Sequence, residues 1–157
     1  MSESDGLTGL PLPADFWRRS PIYPRLRAEE AVFGVVAGAA VPVRYRDGGE
    51  VAAARTLGIA DLSPLPRLGF KGKDVLSQLN TKGMSLEFRP NTASKQSDGT
   101  LAAILALTEV LLLSPLDGQA NGLQVLGDDW SIDRADGAYL MPRQDSHFWF
   151  VITGQEA

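Results

Sequence analysis

The spacing of apolar positions changes part-way along residues 55–79, RTLGIADLSPLPRLGFKGKDVLSQL. Leu68 and Phe70 lie two apart, as on one face of a strand, whereas Val75, Leu76 and Leu79 gather on one side of a 3.6-residue repeat. Between them Lys71 and Gly72 supply a turn in which Gly72 can take a positive φ. The stretch therefore predicts a strand, a turn and a helix. Asp74 stands at the start of that helix, where it can accept orphan amide bonds or place negative charge near the positive end of the dipole.

Residues 1–13 are polar and then rich in Gly and Pro, and Asp15, Phe16, Trp17, Arg18 and Arg19 follow. We expect residues 1–19 to form a flexible or docking arm, and residues 20–157 a single α+β domain. Two adjacent aromatics in a polar arm, Phe16 and Trp17, read as a tether packed on the domain or on a partner. A stiff turn at SPIYP leads into a short helix over 25–31, with Arg27 near Glu30. The run VFGVVAGAA, residues 32–40, reads as backbone packed closely against another element, and equally leaves room for a flat ligand. Residues 41–45 alternate as a half-exposed strand with Pro42 at its edge, 47–49 mark a turn, and 50–56 form a short helix that Gly58 ends.

Downstream, residues 80–98 read as a long loop containing a strand-sized piece at 84–88. The apolar run 101–113 fits two strands around Thr108 and Glu109 or one buried helix, which pattern alone does not separate. A turn at 117–121, a short strand at 123–126 and an acidic loop or short helix at 128–137 follow. Residues 148–152, FWFVI, form a strongly apolar strand.

That last strand runs into Thr153, Gly154, Gln155, Glu156 and Ala157, the same order of apolar strand, polar residue, Gly, polar residue, acid and small apolar residue as at 68–75. We expect the second copy to lack the helix that follows the first. So apolar a strand needs cover on both faces, supplied by another chain or by a residual packing surface shared with one. Phe148, Trp149, Phe150 and Gly154, with Phe16 and Trp17, are the expected partner interface.

Composition narrows the chemistry. The 157 residues are 44% hydrophobic and 22% charged with a net charge of -4, a globular chain without the basic surface that nucleic acid requires. The absence of cysteine removes disulfides, thiolate catalysis and cysteine metal sites, and a cytoplasmic location is expected. Glu3 and Asp5 ahead of a proline-broken run do not resemble a secretion signal. The most apolar run falls short of the roughly 20 residues of a membrane span. His147 stands beside Asp145 and Ser146, but neighbours on a strand point to opposite faces and no nucleophile elbow is present, so a strand-end polar cluster is expected rather than a triad. Asp128, Asp129 and Asp133 read as a solvated acidic loop rather than a metal site.

Four further stretches, taken in order, carry a family resemblance: Ser20 to Tyr23, Val41 to Tyr45, Arg55 through GIADLS at 58–63, and GKDVL at 72–76. Together they resemble the N-terminal half of the glycine cleavage T-protein (aminomethyltransferase) family, and their order and spacing match. The ending, DSHFW at 145–149 and TGQEA at 153–157, is similar to the gamma subunit of heterotetrameric sarcosine oxidase, a relative of that family. The resemblance implies a folate-binding α+β fold, a largely antiparallel sheet with packed helices, apparently truncated because the second half of the family fold is missing. It also favours strands over a helix for 101–113. Implied activities are one-carbon transfer to tetrahydrofolate or support of a flavin-dependent amine dehydrogenase.

Three departures, the missing second half among them, argue against catalysis by this chain alone, so no catalytic residue is assigned. The family's His after the Asp-(Leu/Val)-Ser triplet is replaced by Pro64. The family's catalytic aspartate belongs in a strand that lines up with DGTLAAI at 98–104, where alanines fill the place of the carboxylates. A methyl group neither holds a cationic amine nor organises a proton transfer. The expected role is that of an accessory subunit in a hetero-oligomer, with two kinds of partner considered: larger subunits carrying FAD or FMN, and a chain completing the fold. The alternatives are a folate-dependent methyl or aminomethyl transferase split over two chains, and a stand-alone folate-binding module. Arg67, Lys71 and Lys73 are the candidate contacts for an anionic cofactor tail, polyglutamyl folate or a flavin phosphate, against the plainer reading of a solvated turn.

Overall fold

The computed structural model describes residues 15–45, 48–119 and 121–157, so residues 1–14 of the expected arm and Asp47 of the 47–49 turn lie outside the described residues. It divides into two compact units, residues 1–64 with 148–157, and residues 65–147. Both mix helices with sheet whose strand pairs are antiparallel except one.

In unit 1, strands β2 (Val32–Val36) and β3 (Ala39–Arg44) form a hairpin. Its turn is Ala37 and Gly38, both at positive φ, 49° and 71°, as a two-residue turn matched to strand twist requires. The small-residue run is therefore a hairpin, with Ala39 and Ala40 buried. The short strand β1 (Arg18–Arg19) pairs parallel with Ala39 and Ala40, so β3 has a free edge only beyond them, where Pro42 sits. Helix α1 (Tyr23–Ala28) has Pro24 in its first turn and buries Leu26 against Phe33 and Ala40. Its ion pair joins Arg25 to Glu29 at i, i+4. The expected proximity of Arg27 and Glu30 is made by backbone: the helix ends at Ala28, Glu30 turns at φ 54°, and its N–H donates to Arg27 O at 3.1 Å.

Unit 1 continues with α2 (Glu50–Thr56) and β4 (Gly58–Asp61), and the chain returns to it as β10 (Phe150–Thr153), paired antiparallel with β4.

Unit 2 is built on β5 (Arg67–Lys71), within a five-stranded antiparallel sheet. Its order is β6 (Thr92–Lys95), β7 (Leu101–Ala106), β8 (Glu109–Leu113), β5, β9 (Tyr139–Pro142). Helix α3 (Val75–Thr81) turns Val75, Leu76 and Leu79 into a core with Phe70, Ala102, Ile104, Val110 and Leu112. Each fully buried aliphatic side chain there contributes about 1.5–3 kcal/mol. Residues 101–113 are a hairpin turning at Leu107 and Thr108, with alternate residues Ala102, Ile104, Val110 and Leu112 inward.

Three local expectations are corrected. Residues 123–126 belong to helix α4 (Asn121–Asp129), not a strand: Leu123, Leu126 and Trp130 recur at i, i+3, i+7 against the core while Val125 points out. Residues 84–88 form no strand because the Asn80 side chain takes both backbone groups of Leu86, donating from Nδ2 to its carbonyl at 3.0 Å and accepting its N–H at 2.8 Å. The strand forms later, at β6. Asp74 occupies the N-cap position of α3 without a side-chain bond to the helix amides. Its carboxylate lies instead against Gly137 and 3.7 Å from Lys73 Nζ.

The junction between β5 and α3 is closed by backbone. Gly72 has φ 147° and donates its N–H to Thr108 O at 3.0 Å, while Asp74 N–H donates to Gly137 O at 3.2 Å. A Cβ on Gly72 would stand 1.9 Å from that same Gly137 oxygen. Gly72→Ala is expected to destabilise the fold by about 2–4 kcal/mol in urea titrations, combining a backbone clash with positive-φ strain. Gly83→Ala, at φ 92° with no atom within 4 Å, is expected to show the strain alone, about 1 kcal/mol.

Candidate functional site

An uncovered apolar surface with a defined architecture lies on the β4–β10 ribbon. Ile59 stands opposite Ile152, and these residues are 64% and 61% exposed. Side chains alternate, so Ile59, Asp61, Phe150 and Ile152 share one face and Gly58, Ala60, Val151 and Thr153 the other. Helix α2 approaches the second face closely enough that a Cβ on Gly58 would lie 2.8 Å from Ala54 Cα. Pairing runs past the ribbon end, where Leu62 N–H donates to Trp149 O at 2.7 Å and Trp149 N–H donates to Ser63 Oγ at 2.9 Å. Gly154 then turns at φ 116°, and the N–H groups of Gln155 and Glu156 cap Arg55 O and Thr56 O at the end of α2. A Cβ on Gly154 would stand 2.4 Å from Thr56 O. The two stretches that share a sequence order thus share a geometry: a strand ends in a positive-φ glycine pressed on a carbonyl.

Nothing in this substructure is fully covered. Helix α2 buries no residue, and Val51, Leu57, Phe148 and Val151 are exposed with the two isoleucines. Trp149 and Phe150 are half-buried, Trp17 is fully exposed, and Phe16 packs beside the Leu26–Phe33–Ala40 cluster. Of the six residues expected at a partner interface, Phe148, Trp149, Phe150 and Gly154 belong to the ribbon and its ends, and Phe16 lies by the hairpin sheet. Sequence reading missed Ile59, Val51 and Leu57, although their apolar side chains flanking Gly58 were the available signal.

Between α1, α2 and the ribbon is a cleft of about 940 Å³, bordered by Arg25, Glu29, Tyr45, Glu50, Leu57 and Ile59 among others. Burial, and then the carboxylates of Glu29 and Glu50, push the Tyr45 phenol above its ordinary pKa. Glu50 accepts the Tyr45 N–H, and that bond first of all holds its carboxyl below the usual range.

The three cations expected at a cofactor tail are placed apart in role. Arg67 is 6% exposed, and its Nη2 donates to Gln144 O at 2.5 Å and His147 O at 2.9 Å, tying the 144–147 loop to β5. Lys71 lies two pleats further along the same strand face and pairs with Glu109 at 3.1 Å. Lys73 is exposed beside Asp74. Glu109 and Arg143, which sequence reading did not single out, join Lys71 on the sheet, Arg143 Nη2 donating to Glu109 Oε1 at 2.8 Å. Ser146 Oγ lies 2.8 Å from His147 Nδ1 and also donates to Arg143 O at 3.1 Å, in an exposed turn. Asp129 is engaged by Lys82 and Arg134, and among the described residues no group of three His, Asp or Glu is placed to hold a metal ion. No helix among them is long and apolar enough to cross a membrane.

No protein-family model matches this chain, and no curated protein sequence does. Among solved structures, it superposes on the glycine cleavage system aminomethyltransferase T from Bartonella henselae with a TM-score of 0.65 at 17% identity. The match covers 88% of this chain and 41% of that one. The fold is T-protein-like. The α+β class, the antiparallel sheets and the packed helices all follow the resemblance seen in the sequence, and the chain spans less than half the length of the structure it matches.

On this T-protein-like fold Arg67 acts as a structural tie. Arg67→Met is expected to cost about 1.5–3 kcal/mol in chemical denaturation through loss of its charged hydrogen bonds to two loop carbonyls. Asp129 gives a pH signature. The Lys82 bond, then its charge, lower the Asp129 pKa in the folded state, so the pair stabilises above the unfolded-state pKa and loses its contribution as pH falls through the folded one. Asp129→Asn is expected to flatten the acid limb of the stability curve in thermal melts between about pH 5 and pH 2.

Proposed function

We propose that this chain is an accessory, non-catalytic subunit of a cytoplasmic multi-subunit flavin-dependent amine oxidase or dehydrogenase, similar to the sarcosine oxidase gamma subunit and linked to folate one-carbon metabolism. The observation that carries the reading is the uncovered apolar surface of α2, β4 and β10. A seven-residue helix without a buried side chain and a two-stranded ribbon are each marginal in water, and contact with a larger chain would complete them. In this role the hydride chemistry resides on FAD or FMN held by larger subunits, and this chain contributes a docking face and a wall to a cavity for tetrahydrofolate or an intermediate. Lys71 and Lys73 would be its contacts to an anionic cofactor tail.

Residues on β7 support the non-catalytic part. The strand Leu101–Ala106 carries only Leu, Ala and Ile; Ala102 is in the core, and the nearby Asp98 carboxylate is taken up by Thr100, accepting its N–H at 2.9 Å and its Oγ1–H at 3.0 Å. A second reading, a folate-dependent methyl or aminomethyl transferase split over two chains, is favoured by the likeness to an aminomethyltransferase structure.

Native mass measurement of the complex isolated through this chain is expected to show a hetero-oligomer containing a flavin-bearing subunit. Ile59→Thr with Ile152→Thr, which keeps the strand preference of the register pair while removing its apolar surface, is expected to weaken that assembly with little change in the unfolding midpoint. A stable, partner-free monomer overturns the subunit reading. Methyl transfer to tetrahydrofolate by this chain with one half-sized partner supports the split transferase instead.

A further inference from the structure

The sheet face of unit 2 opposite the helices carries a charge imbalance that docking at the ribbon does not use. Register sets Lys71 opposite Glu109 on one side and Tyr139 on the other, and Gly69 opposite Leu111 and Met141. Arg143, just past β9, lies across Gly69: a Cβ there would come within 2.7 Å of Arg143 Cγ and 3.0 Å of its Nε. The missing side chain at 69 is what lets the guanidinium lie along the sheet toward Glu109.

Glu109 then receives two cations, Arg143 Nη2 at Oε1, 2.8 Å, and Lys71 Nζ at Oε2, 3.1 Å. Two positive groups share one carboxylate, and a net positive charge remains. A guanidinium carries five N–H donors and an ammonium three, so Glu109 leaves most of them unengaged. The Arg143 and Glu109 side chains are each 22% exposed, which withdraws them from bulk screening while leaving them open to a solute. On the same face, Leu111 pairs in register with Ala103, an apolar shoulder beside the charged cluster.

We propose that Arg143 and Lys71 form a binding site for a small carboxylate with an apolar body. The carboxylate sits on the unengaged donors of the two cations, where the planar fork of the Arg143 guanidinium suits it and the Lys71 ammonium adds a point charge, and the apolar body lies on Leu111 and Ala103. Glu109 is a positioning residue: it aims both cations and competes with the ligand for them.

The full-length protein titrated with phenylacetate by two-dimensional NMR tests the site, with acetate and phenethylamine as controls. Phenylacetate is expected to saturate, shifting the Arg143 Nε–Hε resonance and the Leu111 and Ala103 amides, with acetate weaker and the amine inert. Arg143→Gln is expected to weaken phenylacetate about tenfold, the scale of one charge-assisted hydrogen bond. Lys71→Gln gives the same direction without disturbing the Arg143–Glu109 pair, so the test survives a misfolded Arg143 variant. Glu109→Gln is expected to tighten binding by removing the competing charge. Binding of the amine, equal affinity for acetate, or weaker binding in Glu109→Gln overturns the proposal.

Discussion

Strand β5 is hydrogen-bonded on both edges, with Phe70 opposite Val110 on one side and Leu140 on the other, and α3 closes over it with Val75, Leu76 and Leu79. Burial of Phe70 therefore fixes two things together. It holds the register of the strands on either side, and because side chains alternate it commits Arg67, Gly69 and Lys71 to the opposite face. A slip of one residue would carry a phenylalanine out and two cations into the core, a cost no surface contact offsets. The buried tie at Arg67 and the Lys71–Glu109–Arg143 cluster are both consequences of where Phe70 goes.

Unit 1 contrasts with this in the depth of its core. Its buried cluster is Leu26, Phe33 and Ala40, with aromatic edges from Phe16, Tyr23 and Tyr45. The Tyr23 and Phe33 rings meet at 5.5 Å in a tilted arrangement, which adds directionality but little area. The ribbon and α2 are held chiefly by backbone hydrogen bonds, including the two that run from the Gly154 turn to the end of α2. Backbone bonds exposed to water contribute little net stability each, so this part of unit 1 gains most from a covering surface.

Where the chain was legible, pattern and backbone chemistry agreed. Gly72 between two-residue and 3.6-residue spacing announced β5, the turn and α3, because only glycine tolerates the approach of the Gly137 carbonyl. The resemblance resolved 101–113 into a hairpin where pattern could not, since that run is apolar on both faces: Leu101, Ala103 and Leu111 lie outward while Ala102, Ile104 and Leu112 lie inward. The missed elements depended on partners distant in sequence or on side-chain competition. Leu123 and Val125 look strand-like at short range, and the helix shows only when Leu126 and Trp130 are counted with Leu123, while Asn80 captures the backbone of Leu86 before any strand can. The sheet-face cluster was half legible. Lys71 stood out as a charge at a turn, but Glu109 comes from 38 positions downstream and Arg143 needs the vacancy at Gly69, a contact set by register alone.

The same register bears on the proposed accessory role. Holding a cationic amine for transfer needs a carboxylate that is accessible and electrically dominant. On the sheet face of β5 and β8 the carboxylate is Glu109, and both of its oxygens are engaged by cations, so an arriving amine meets a net positive site. On β7 the outward residues are apolar, and Asp98 at its entrance is folded back on Thr100. The positive charge left over at these positions disfavours a cationic amine. An assembly that oxidises amines would place that chemistry on another chain and use this one where charge of the opposite sign is handled.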